Sequence, residues 1–387
     1  MTKPGNGSGS KERRECPGGD GLFYMPAEYA PHEATIMIFP VRPGSWPNGA
    51  KRAQEVFSLI IREIAGSEKV YVIVDERTRE AAKRLLSGIG NVELVDIPSD
   101  DAWARDTAPT FVINGREIRG INWEFNAWGG DCNGLYPSWD KDNALAGKFL
   151  RAAGYEMIDA SPFVLEGGSI HVNGVDTLIT TEECLLSPGR NPGLSKEEIE
   201  DRLIGYTGMK RVIWLPHGIY NDETDGHVDN MAAFTDTNDV VLAWTDDKED
   251  PQYPRSLAAL EVLKKAGLNV HKLPIPDVPV CIGEEDLDGY EFEEGEDIRE
   301  AGERLAASYV NFYFANDMIL LPQFGAGNQA SDKRAVDIMS RLCPDRRIVP
   351  VPARDIIPGG GNIHCITQQI PLSVLKAAGP EPILPQE

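Results

Sequence analysis

The amino-acid sequence predicts an α/β fold built from similar strand–turn–strand modules around a common centre. Apolar, β-branched segments alternate with segments of helical periodicity along the whole chain of 387 residues, which indicates a mixed fold. One pattern also recurs, in which a short strand is followed by a proline-containing turn, a glycine or acidic residue, and a second strand. Modules that each place one strand near a shared axis bring equivalent residues together at that axis.

The first elements already show the alternation. Residues 34–39 and 70–74 are apolar runs typical of buried strands, and residues 51–65 between them carry apolar side chains at helical spacing. The same criteria predict further helices at residues 76–86, 140–153, 195–206, 254–265 and 332–342. They predict further strands at residues 92–97, 110–113, 155–158, 169–172, 212–215, 228–234, 240–244, 270–273, 310–314, 319–321 and 348–351. Since no low-complexity linker interrupts this series, the sequence favours one domain.

The repeated pattern carries a chemically capable residue at the same place in four modules. Asp106, Glu166 and His227 are ~60 residues apart, and Cys365 follows after about twice that step. A fifth module is therefore expected near residues 308–311, although no catalytic residue type stands at the corresponding position. The acidic stretch of residues 283–303 precedes this module and is predicted as an insertion, a solvated loop with one helix.

Composition and charge exclude several classes of partner. With 38 basic and 61 acidic residues, the net charge of −23 is unfavourable for binding nucleic acid, whose phosphates require a basic surface. The charge favours cationic ligands, although solubility alone explains it equally well. No apolar run approaches the ~18 residues of a membrane span, so no membrane partner is expected. The six cysteines are scattered without a C-x-x-C pair, which argues against a disulfide scaffold or a zinc ribbon.

The first residues differ from the rest of the chain. Residues 1–22 are polar and glycine-rich and lack the apolar centre of a signal peptide. We interpret them as a flexible N-terminal arm that precedes a single catalytic domain at residues 23–380. The protein is accordingly expected to be cytoplasmic.

Cys365 is the candidate nucleophile. It follows three consecutive glycines, whose backbone allows a ligand to approach closely, and residues 363–367 are predicted as a short strand. A cysteine that only packs in the core is the alternative. His227, at an equivalent module position, would activate the thiol. His364, next to Cys365 on the predicted strand, should point to the opposite face and have a structural role.

The carboxylates indicate the kind of substrate. Several carboxylates beside a thiol oppose thiolate formation, but they suit a guanidinium, which pairs bidentately with carboxylates and stabilises the thiolate by its charge. Asp106 and Glu166 could instead be turn residues. His227 and Asp229 form H-x-D, which on a strand places both side chains on one face. A metal pair would need a third ligand at suitable spacing, and since none is present, neither a metal nor a cofactor is predicted.

Four segments resemble the signature segments of the agmatine deiminases, which belong to the guanidine-modifying, or pentein, superfamily: WARDTAPTFV, EGGSIHVNG, DGHVDNMAAF and GGGNIHCITQQIP. The resemblance extends from residue 27 to residue 377, and the last segment is its most specific part. It implies a five-bladed α/β propeller with pseudo-fivefold repeats around a central active site.

The resemblance also implies roles for individual residues. Cys365 would be the nucleophile that forms an amidino-enzyme intermediate, and His227 would be the general acid and base. Asp106 and Asp229 would hold the guanidinium nitrogens. Glu166 would orient both His227 and the guanidinium.

The implied reaction is hydrolysis of agmatine, a small cationic guanidine, to N-carbamoylputrescine and ammonia, in putrescine biosynthesis or agmatine catabolism. Trp103 occupies the place of an aromatic residue that lines the family's substrate channel. Asp222 and Asp225 are candidates for binding the primary ammonium of the substrate, with a turn role as the alternative. An arginine or peptidyl-arginine deiminase and a catalytically silent, cation-binding propeller are alternative functions. The oligomeric state, including a homo-oligomer, is left open.

The far end of the substrate decides between agmatine and arginine. Arginine adds a carboxylate, and burying it without a basic partner costs several kcal/mol. Basic residues near the motifs are few, namely Arg105, Arg190 and Arg354. Arg105, on what is expected to be an extended stretch, should face away from Asp106. The sequence therefore predicts a preference for agmatine.

Overall fold

The computed structural model describes residues 22–296 and 298–373 of the chain. Within this part, sixteen strands form five separate sheets, and ten α-helices connect or flank them. In chain order the strands are β1 (His32–Ile38), β2 (Lys69–Val74), β3 (Val92–Asp96), β4 (Thr110–Ile113), β5 (Ile118–Glu124), β6 (Glu156–Val164), β7 (His171–Val172), β8 (Thr177–Thr181), β9 (Arg211–Leu215), β10 (Ala232–Phe234), β11 (Asp239–Trp244), β12 (Asn269–Pro274), β13 (Tyr313–Phe314), β14 (Met318–Gln323), β15 (Arg347–Pro352) and β16 (Gln368–Pro371). The helices are α1 (Lys51–Ile64), α2 (Arg79–Leu85), α3 (Ala104–Thr107), α4 (Gly130–Asn133), α5 (Asp140–Asn143), α6 (Leu145–Ala153), α7 (Glu182–Leu185), α8 (Lys196–Thr207), α9 (Gln252–Lys265) and α10 (Gln329–Leu342).

The five sheets share one connection pattern. In each of the orders β4-β5-β6, β7-β8-β9, β10-β11-β12 and β13-β14-β15, the first pair of strands is antiparallel and the second is parallel. The fifth sheet, β16-β1-β2-β3, begins in the same way, with β16 antiparallel to β1 and β1 parallel to β2. Ile370 pairs with Ala34, so the last described strand completes the sheet that the first strand begins.

Helices join the parallel strands and tie neighbouring sheets together. Parallel neighbours need a crossover connection, and α1, α6, α8, α9 and α10 supply it within the five sheets. Three of these helices also contact the last strand of another sheet: α9 contacts β9, α10 contacts β12, and α1 contacts β15. The contact of α1 with β15 links the first module to the last one, as the pairing of β16 with β1 does.

The parallel strands are buried because helices cover them. The strand β11 is buried from Val240 to Trp244, and the side of α1 that carries Phe57, Ile60 and Ile64 is fully buried. Burial of ordinary apolar side chains stabilises the fold by about 1.5–3 kcal/mol each. The core of each module thus forms at the sheet–helix contact and leaves the turns before the first strands available for function.

The predicted mixed α/β architecture is confirmed, with local differences. The helix predicted at residues 140–153 is two helices, α5 and α6. The strands β5 and β8 were not predicted; β5 contains Gly120 and charged residues, which obscure a strand pattern. The acidic insertion of residues 283–303 carries no α-helix among its described residues, only a 3-10 turn at Glu284–Asp286.

Several predicted strands begin too early, and the same error recurs in different modules, although β4 was predicted with its observed bounds. Residues 363–366 form a turn, and the strand starts at Gln368. The predicted strands 228–234 and 169–172 likewise begin as the 3-10 turns Val228–Asn230 and Gly167–Ser169. Polar groups at these positions form contacts with other modules at the centre of the molecule, so the hydrogen bonds between strands begin only after them. The prediction that H-x-D lies on a strand is therefore wrong.

The structure describes only part of the predicted arm and of the predicted domain. Residues 1–21 of the predicted arm and residues 374–380 of the predicted domain lie outside the described residues. No helix in the described part has the length and apolar character needed to cross a membrane.

Candidate active site

The structure brings together the segments that directly precede the first strand of each sheet. Five side chains stand at these equivalent places: Asp106 before β4, Glu166 before β7, His227 before β10, Asn311 before β13 and Cys365 before β16. His227 Nδ1 lies 3.9 Å from Asp106 Oδ2, and its Nε2 lies 3.6 Å from Glu166 Oε2. The predicted convergence of residues distant in sequence is therefore present in the structure.

Gly168 marks the point where the charged groups meet. A Cβ atom built on Gly168 would lie 2.6 Å from His227 Nδ1 and 3.0 Å from Asp106 Oδ1. The same atom would lie 3.0 Å from Asp229 Oδ2. The absence of a side chain at this glycine thus allows two carboxylates and an imidazole to converge on one point of the backbone.

Cys365 lies beside Asp229 and is almost fully buried, with 8% of the residue exposed. Its Sγ is 3.6 Å from Asp229 Oδ2. Burial and the negative charges of Asp229 and Asp106 raise the pKa of the Cys365 thiol well above its usual value. The thiol is therefore protonated at neutral pH in the absence of a ligand, and a cation placed between it and the carboxylates would favour the thiolate.

Asn311 is a site residue that the sequence did not reveal. Its Nδ2 lies 3.2 Å from Cys365 Sγ, and its Oδ1 accepts a hydrogen bond from the backbone N–H of His364 at 2.9 Å. Asn311 belongs to the module expected at residues 308–311, where no catalytic residue type was recognised. The repeat spacing indicated the position, but an amide is a common turn residue and gave no chemical signal by itself.

The two guanidinium candidates, Asp106 and Asp229, are held differently. Asp106 Oδ1 accepts a hydrogen bond from Gly168 N, and Oδ2 accepts one from Trp128 Nε1, both at 2.9 Å. Burial and the nearby carboxylates Asp229 and Glu166 raise the pKa of Asp106, against the lowering effect of His227. Burial also acts to raise the pKa of Asp229, but His364 outweighs it, so this pKa is lowered.

His227 and Glu166 form a buried acid–base pair supported by Arg190. Arg190 Nε lies 2.8 Å from Glu166 Oε1. Burial would raise the pKa of Glu166, but Arg190 and His227 lower it. Burial would likewise lower the pKa of His227, whereas Asp106, Cys184 and Glu166 raise it well above its usual value. His227 is thus an imidazolium in the free protein, ready to donate a proton.

Two clusters have the composition of a metal site. The ligand atoms of Glu166, Cys184 and His227 lie within 4.8 Å of one another, as do those of Glu28, His171 and His364. Cys184 is distant in sequence from H-x-D, so ligand spacing could not reveal it. The chemistry of the first cluster does not favour a divalent ion, because the cation Arg190 already pairs with Glu166.

A cavity leads from the surface to Cys365, Asp106 and His227. Aromatic side chains form much of its wall, and among them are Trp103, Trp128, Tyr136 and Phe292. Trp103 lies against Gly361, where an added Cβ would be 2.5 Å from the ring. Phe292 comes from the acidic insertion, which was predicted as a solvated loop; at this point the loop lines the cavity instead.

The outer part of the cavity carries paired charges. Arg42 pairs with Glu296, and Arg299 pairs with Glu223; Arg299 Nη2 donates to Glu223 Oε2 at 2.9 Å. Asp101 adds a further carboxyl, whose pKa burial raises to about 6 in spite of Arg42. The two arginines that line the cavity were not anticipated from the motifs, because each belongs to a segment outside them.

Asp225 and Asp222 both accept hydrogen bonds from neighbouring side chains. Asp225 Oδ2 lies 3.1 Å from Arg190 Nη1 and accepts a hydrogen bond from Ser187 Oγ at 2.8 Å. Asp222 accepts hydrogen bonds from Thr224. These contacts are those expected of turn residues, and the substrate-binding role of Asp225 stays a prediction.

Residues 24–371 match the Porphyromonas-type peptidyl-arginine deiminase family. The chain belongs to this family. The agmatine deiminase of Ectopseudomonas mendocina is 51% identical over 362 residues, which cover 92% of this chain and 97% of that protein.

Solved structures share the mixed α/β fold of this family member. The agmatine deiminase of Enterococcus faecalis is 40% identical, with a TM-score of 0.86, and the match covers 92% of this chain and 98% of that chain. A Cys-to-Ser variant of the C. jejuni agmatine deiminase with substrate bound is 26% identical, with a TM-score of 0.79, and the match covers 91% and 97% of the two chains.

Proposed function

We propose that this protein is an agmatine deiminase that hydrolyses agmatine to N-carbamoylputrescine and ammonia. The observation that carries the proposal is the cavity lined by Cys365, Asp106 and His227, with Asp229 Oδ2 3.6 Å from Cys365 Sγ. A thiol, two carboxylates and a protonated imidazole thus lie close together at one place. Relatives named agmatine deiminase, at 51% and 40% identity over most of the chain, support agmatine as the substrate.

The guanidinium binds between the two aspartates. Asp229 Oδ1 is buried and has no hydrogen-bond partner in the free protein, so it is available to the substrate. Asp106 is fixed by Gly168 N and Trp128, so its carboxylate does not need to reorganise. Binding a cation here neutralises the charges that raise the pKa of Cys365, and the substrate itself thus promotes its own attack by the thiolate.

In the first half of the reaction, the Cys365 thiol releases its proton to solvent as the guanidinium binds, and the thiolate attacks the central guanidinium carbon to form a tetrahedral adduct. His227, as imidazolium, donates a proton to a departing nitrogen, and ammonia leaves. An amidino-cysteine cation remains on the protein. Glu166 and Asp106 hold the ring of His227, which is the only imidazole among the described residues that line the cavity.

In the second half, the now neutral His227 takes a proton from water, which attacks the amidino carbon. The second tetrahedral adduct collapses, the C–S bond breaks, and the urea product leaves with the carbonyl oxygen derived from water. The hydroxyl proton of the adduct passes to the departing sulfur, so Cys365 is regenerated as a thiol and His227 as imidazolium. One residue thus acts as acid and then as base. No step requires a metal.

The outer cavity favours the primary ammonium of agmatine over the carboxylate of arginine. Arg42 and Arg299 are the arginines on the described cavity wall, and each is paired with a glutamate. A substrate carboxylate could reach either guanidinium only by displacing Glu296 or Glu223. An arginine or peptidyl-arginine substrate, suggested by the family's description, is therefore the second candidate.

A trapping experiment tests the covalent route. Acid-quenched wild-type protein mixed with agmatine should carry the amidino group on Cys365, detectable by mass spectrometry of its peptide. Cys365→Ser should bind agmatine but lose kcat by several orders of magnitude, because a hydroxyl is a much weaker nucleophile at neutral pH. Retention of more than a tenth of kcat by this variant would refute the covalent route, and a protein that binds agmatine without releasing ammonia would be the silent cation binder.

The proposal also covers the arrangement of the modules, the cellular location and the metabolic role. The contacts of α1 with β15 and the pairing of β16 with β1 support five modules arranged as propeller blades around this site. We place the reaction in the cytoplasm, where it would supply putrescine biosynthesis or agmatine catabolism. Residues 23–380 would form the catalytic domain.

A further inference from the structure

Behind Asp229 lies a buried row of charged side chains that the reaction steps do not use. His364 Nδ1 lies 2.8 Å from Asp229 Oδ2, and His364 Nε2 lies 2.7 Å from Glu28 Oε2. Glu28, His364 and Asp229 are each less than 5% exposed. Arg105 Nη2 lies 3.3 Å from the same oxygen of Glu28.

The geometry defines the protonation state of His364. A neutral imidazole has one N–H and one lone pair, so it would direct the lone pair at one of the two carboxylates. Both ring nitrogens lie within hydrogen-bond distance of carboxylate oxygens, and the pKa values of Glu28 and Asp229 are lowered, so a ring with protons on both nitrogens satisfies both contacts. With Arg105, the row then contains two cations and two anions and is balanced, as buried charges require.

The described groups that contact His364 are compatible with a ring that carries protons on both nitrogens. Glu28 and Asp229 contact its two nitrogens, and Arg105 donates to its backbone carbonyl from Nε at 3.3 Å. The ring of His171 stacks on it, with centroids 6.1 Å apart. Burial lowers the pKa of His171 to about 4, so this neighbour is neutral and adds no repulsion.

We propose that His364 is a positioning residue that keeps Asp229 ionised and fixes the orientation of its carboxylate through Oδ2, and that Glu28 holds His364 in the protonated form needed for this. The inference rests on the proposed function. It extends the machinery from the cavity to Glu28, which lies between the chain's start and β1. Because His364 engages Oδ2, only Oδ1 of Asp229 lacks a partner.

The proposal predicts the direction in which the acid limb of kcat/KM moves when His364 loses its charge. The imidazolium lowers the pKa of Asp229, so wild-type Asp229 stays charged as the pH falls. When the imidazolium is lost, that pKa rises, and Asp229 becomes protonated at a higher pH. Guanidinium binding then fails earlier on acidification, and the acid limb of kcat/KM, which reports the free enzyme, moves to higher pH.

The experiment compares kcat/KM for agmatine from pH 4 to 9 in wild type, Glu28→Gln, His364→Gln and the control His171→Gln. The first two variants should lose about tenfold in kcat/KM at pH 7, mainly through KM, and their acid limbs should move up by roughly one pH unit. The control perturbs the same buried region but removes no charge, so its acid limb should stay in place. Unchanged acid limbs in folded Glu28→Gln and His364→Gln would overturn the inference.

A measurement on the wild-type protein needs no variant. The chain has six histidines, and the ring ¹⁵N shifts of His364 at pH 7.5 should report both nitrogens protonated. Shifts of a neutral tautomer would overturn the inference even if the variants failed to fold. The proposed function is tested separately, since wild-type protein that releases no ammonia from agmatine refutes that function, whatever the state of His364.

Discussion

At the scale of single residues, the site depends on how closely three charged groups approach Gly168. The sequence predicted Asp106, His227 and Asp229 as site residues from motif positions and from the resemblance. It could not predict that a backbone position between them would be the point of convergence, because that depends on the relative placement of three turns. Nor could it identify Asn311, whose amide acts only through its distance from Cys365.

Gly168→Ala should abolish substrate binding while the protein stays folded. The added Cβ would lie 2.6 Å from His227 Nδ1 and 3.0 Å from Asp106 Oδ1, so it would displace the acid–base residue and a carboxylate assigned to the guanidinium. We expect kcat/KM for agmatine to fall at least ~100-fold, since small displacements of reacting groups have effects of that size. Gly193→Ala, where an added Cβ has no neighbour within 4 Å, is the matched control and should retain activity. Equal activity of the two variants would contradict the assigned position of the guanidinium.

The reactivity of Cys365 should depend on pH in a way set by its neighbours. Because burial, Asp229 and Asp106 raise the pKa of the thiol, the thiolate fraction increases only at high pH. Alkylation of Cys365 by iodoacetamide in substrate-free protein should therefore still be accelerating at pH 9, as followed by peptide mass spectrometry. A rate that levels off below pH 8 would show a thiolate formed without substrate.

Chelators should leave activity unchanged. The proposed steps use only side chains, and the cluster of Glu166, Cys184 and His227 has the cation Arg190 against its carboxylate. Activity after prolonged EDTA treatment, measured by ammonia release, checks this directly. Loss of activity that zinc or manganese restores would reassign His227 from acid–base catalyst to metal ligand.

At the scale of elements, most helices and strands followed from periodicity, and the errors lie at the functional turns. Residues 363–366 alternate in polarity like a strand, yet they form a turn, because the backbone of His364 bonds to Asn311 and that of Cys365 to Arg105. Such contacts join segments more than fifty residues apart, and local pattern carries no information about them. The same cause shortened the strands predicted at residues 169–172 and 228–234.

The strand β16 should be essential for stability as well as for the site. Ile370 is fully buried and pairs with β1, and the same strand follows Cys365 directly. Ile370→Ala should lower the free energy of unfolding by about 2–5 kcal/mol, the range for such truncations in a core. Urea denaturation measures this, with Ile298→Ala, at a site 71% exposed, as the control expected to change little. Equal stabilities would contradict the role of β16 in closing the fold.

At the scale of the whole molecule, the recurrence of one motif at regular spacing indicated the modular architecture, and the structure has five sheets with one connection pattern. The closure of the first sheet by the last described strand could not be predicted, since it joins segments at opposite ends of the chain. The contribution of the acidic insertion to the cavity wall was also not predicted. Its charges predicted a solvated loop, whereas Phe292, Glu296 and Arg299 line the cavity.

In the proposed function, the paired charges of the cavity wall select which guanidine the molecule accepts. Its two arginines are paired with Glu296 and Glu223, so a substrate carboxylate would have to displace a glutamate or remain unpaired. A penalty of about 4 kcal/mol corresponds to roughly a thousandfold in kcat/KM. The primary ammonium of agmatine meets no such penalty in a cavity with three carboxyl groups at its outer part.

The most direct test of the account is the ratio of kcat/KM for agmatine to that for arginine, measured by ammonia release in one buffer at pH 7.5. The structure predicts a ratio of about 1,000 in favour of agmatine. Glu223→Gln serves as a probe of the pairing, because freeing Arg299 should reduce the ratio. Values for the two substrates within about tenfold of each other, or about 1.4 kcal/mol, would contradict the assignment to agmatine and favour the arginine deiminase alternative.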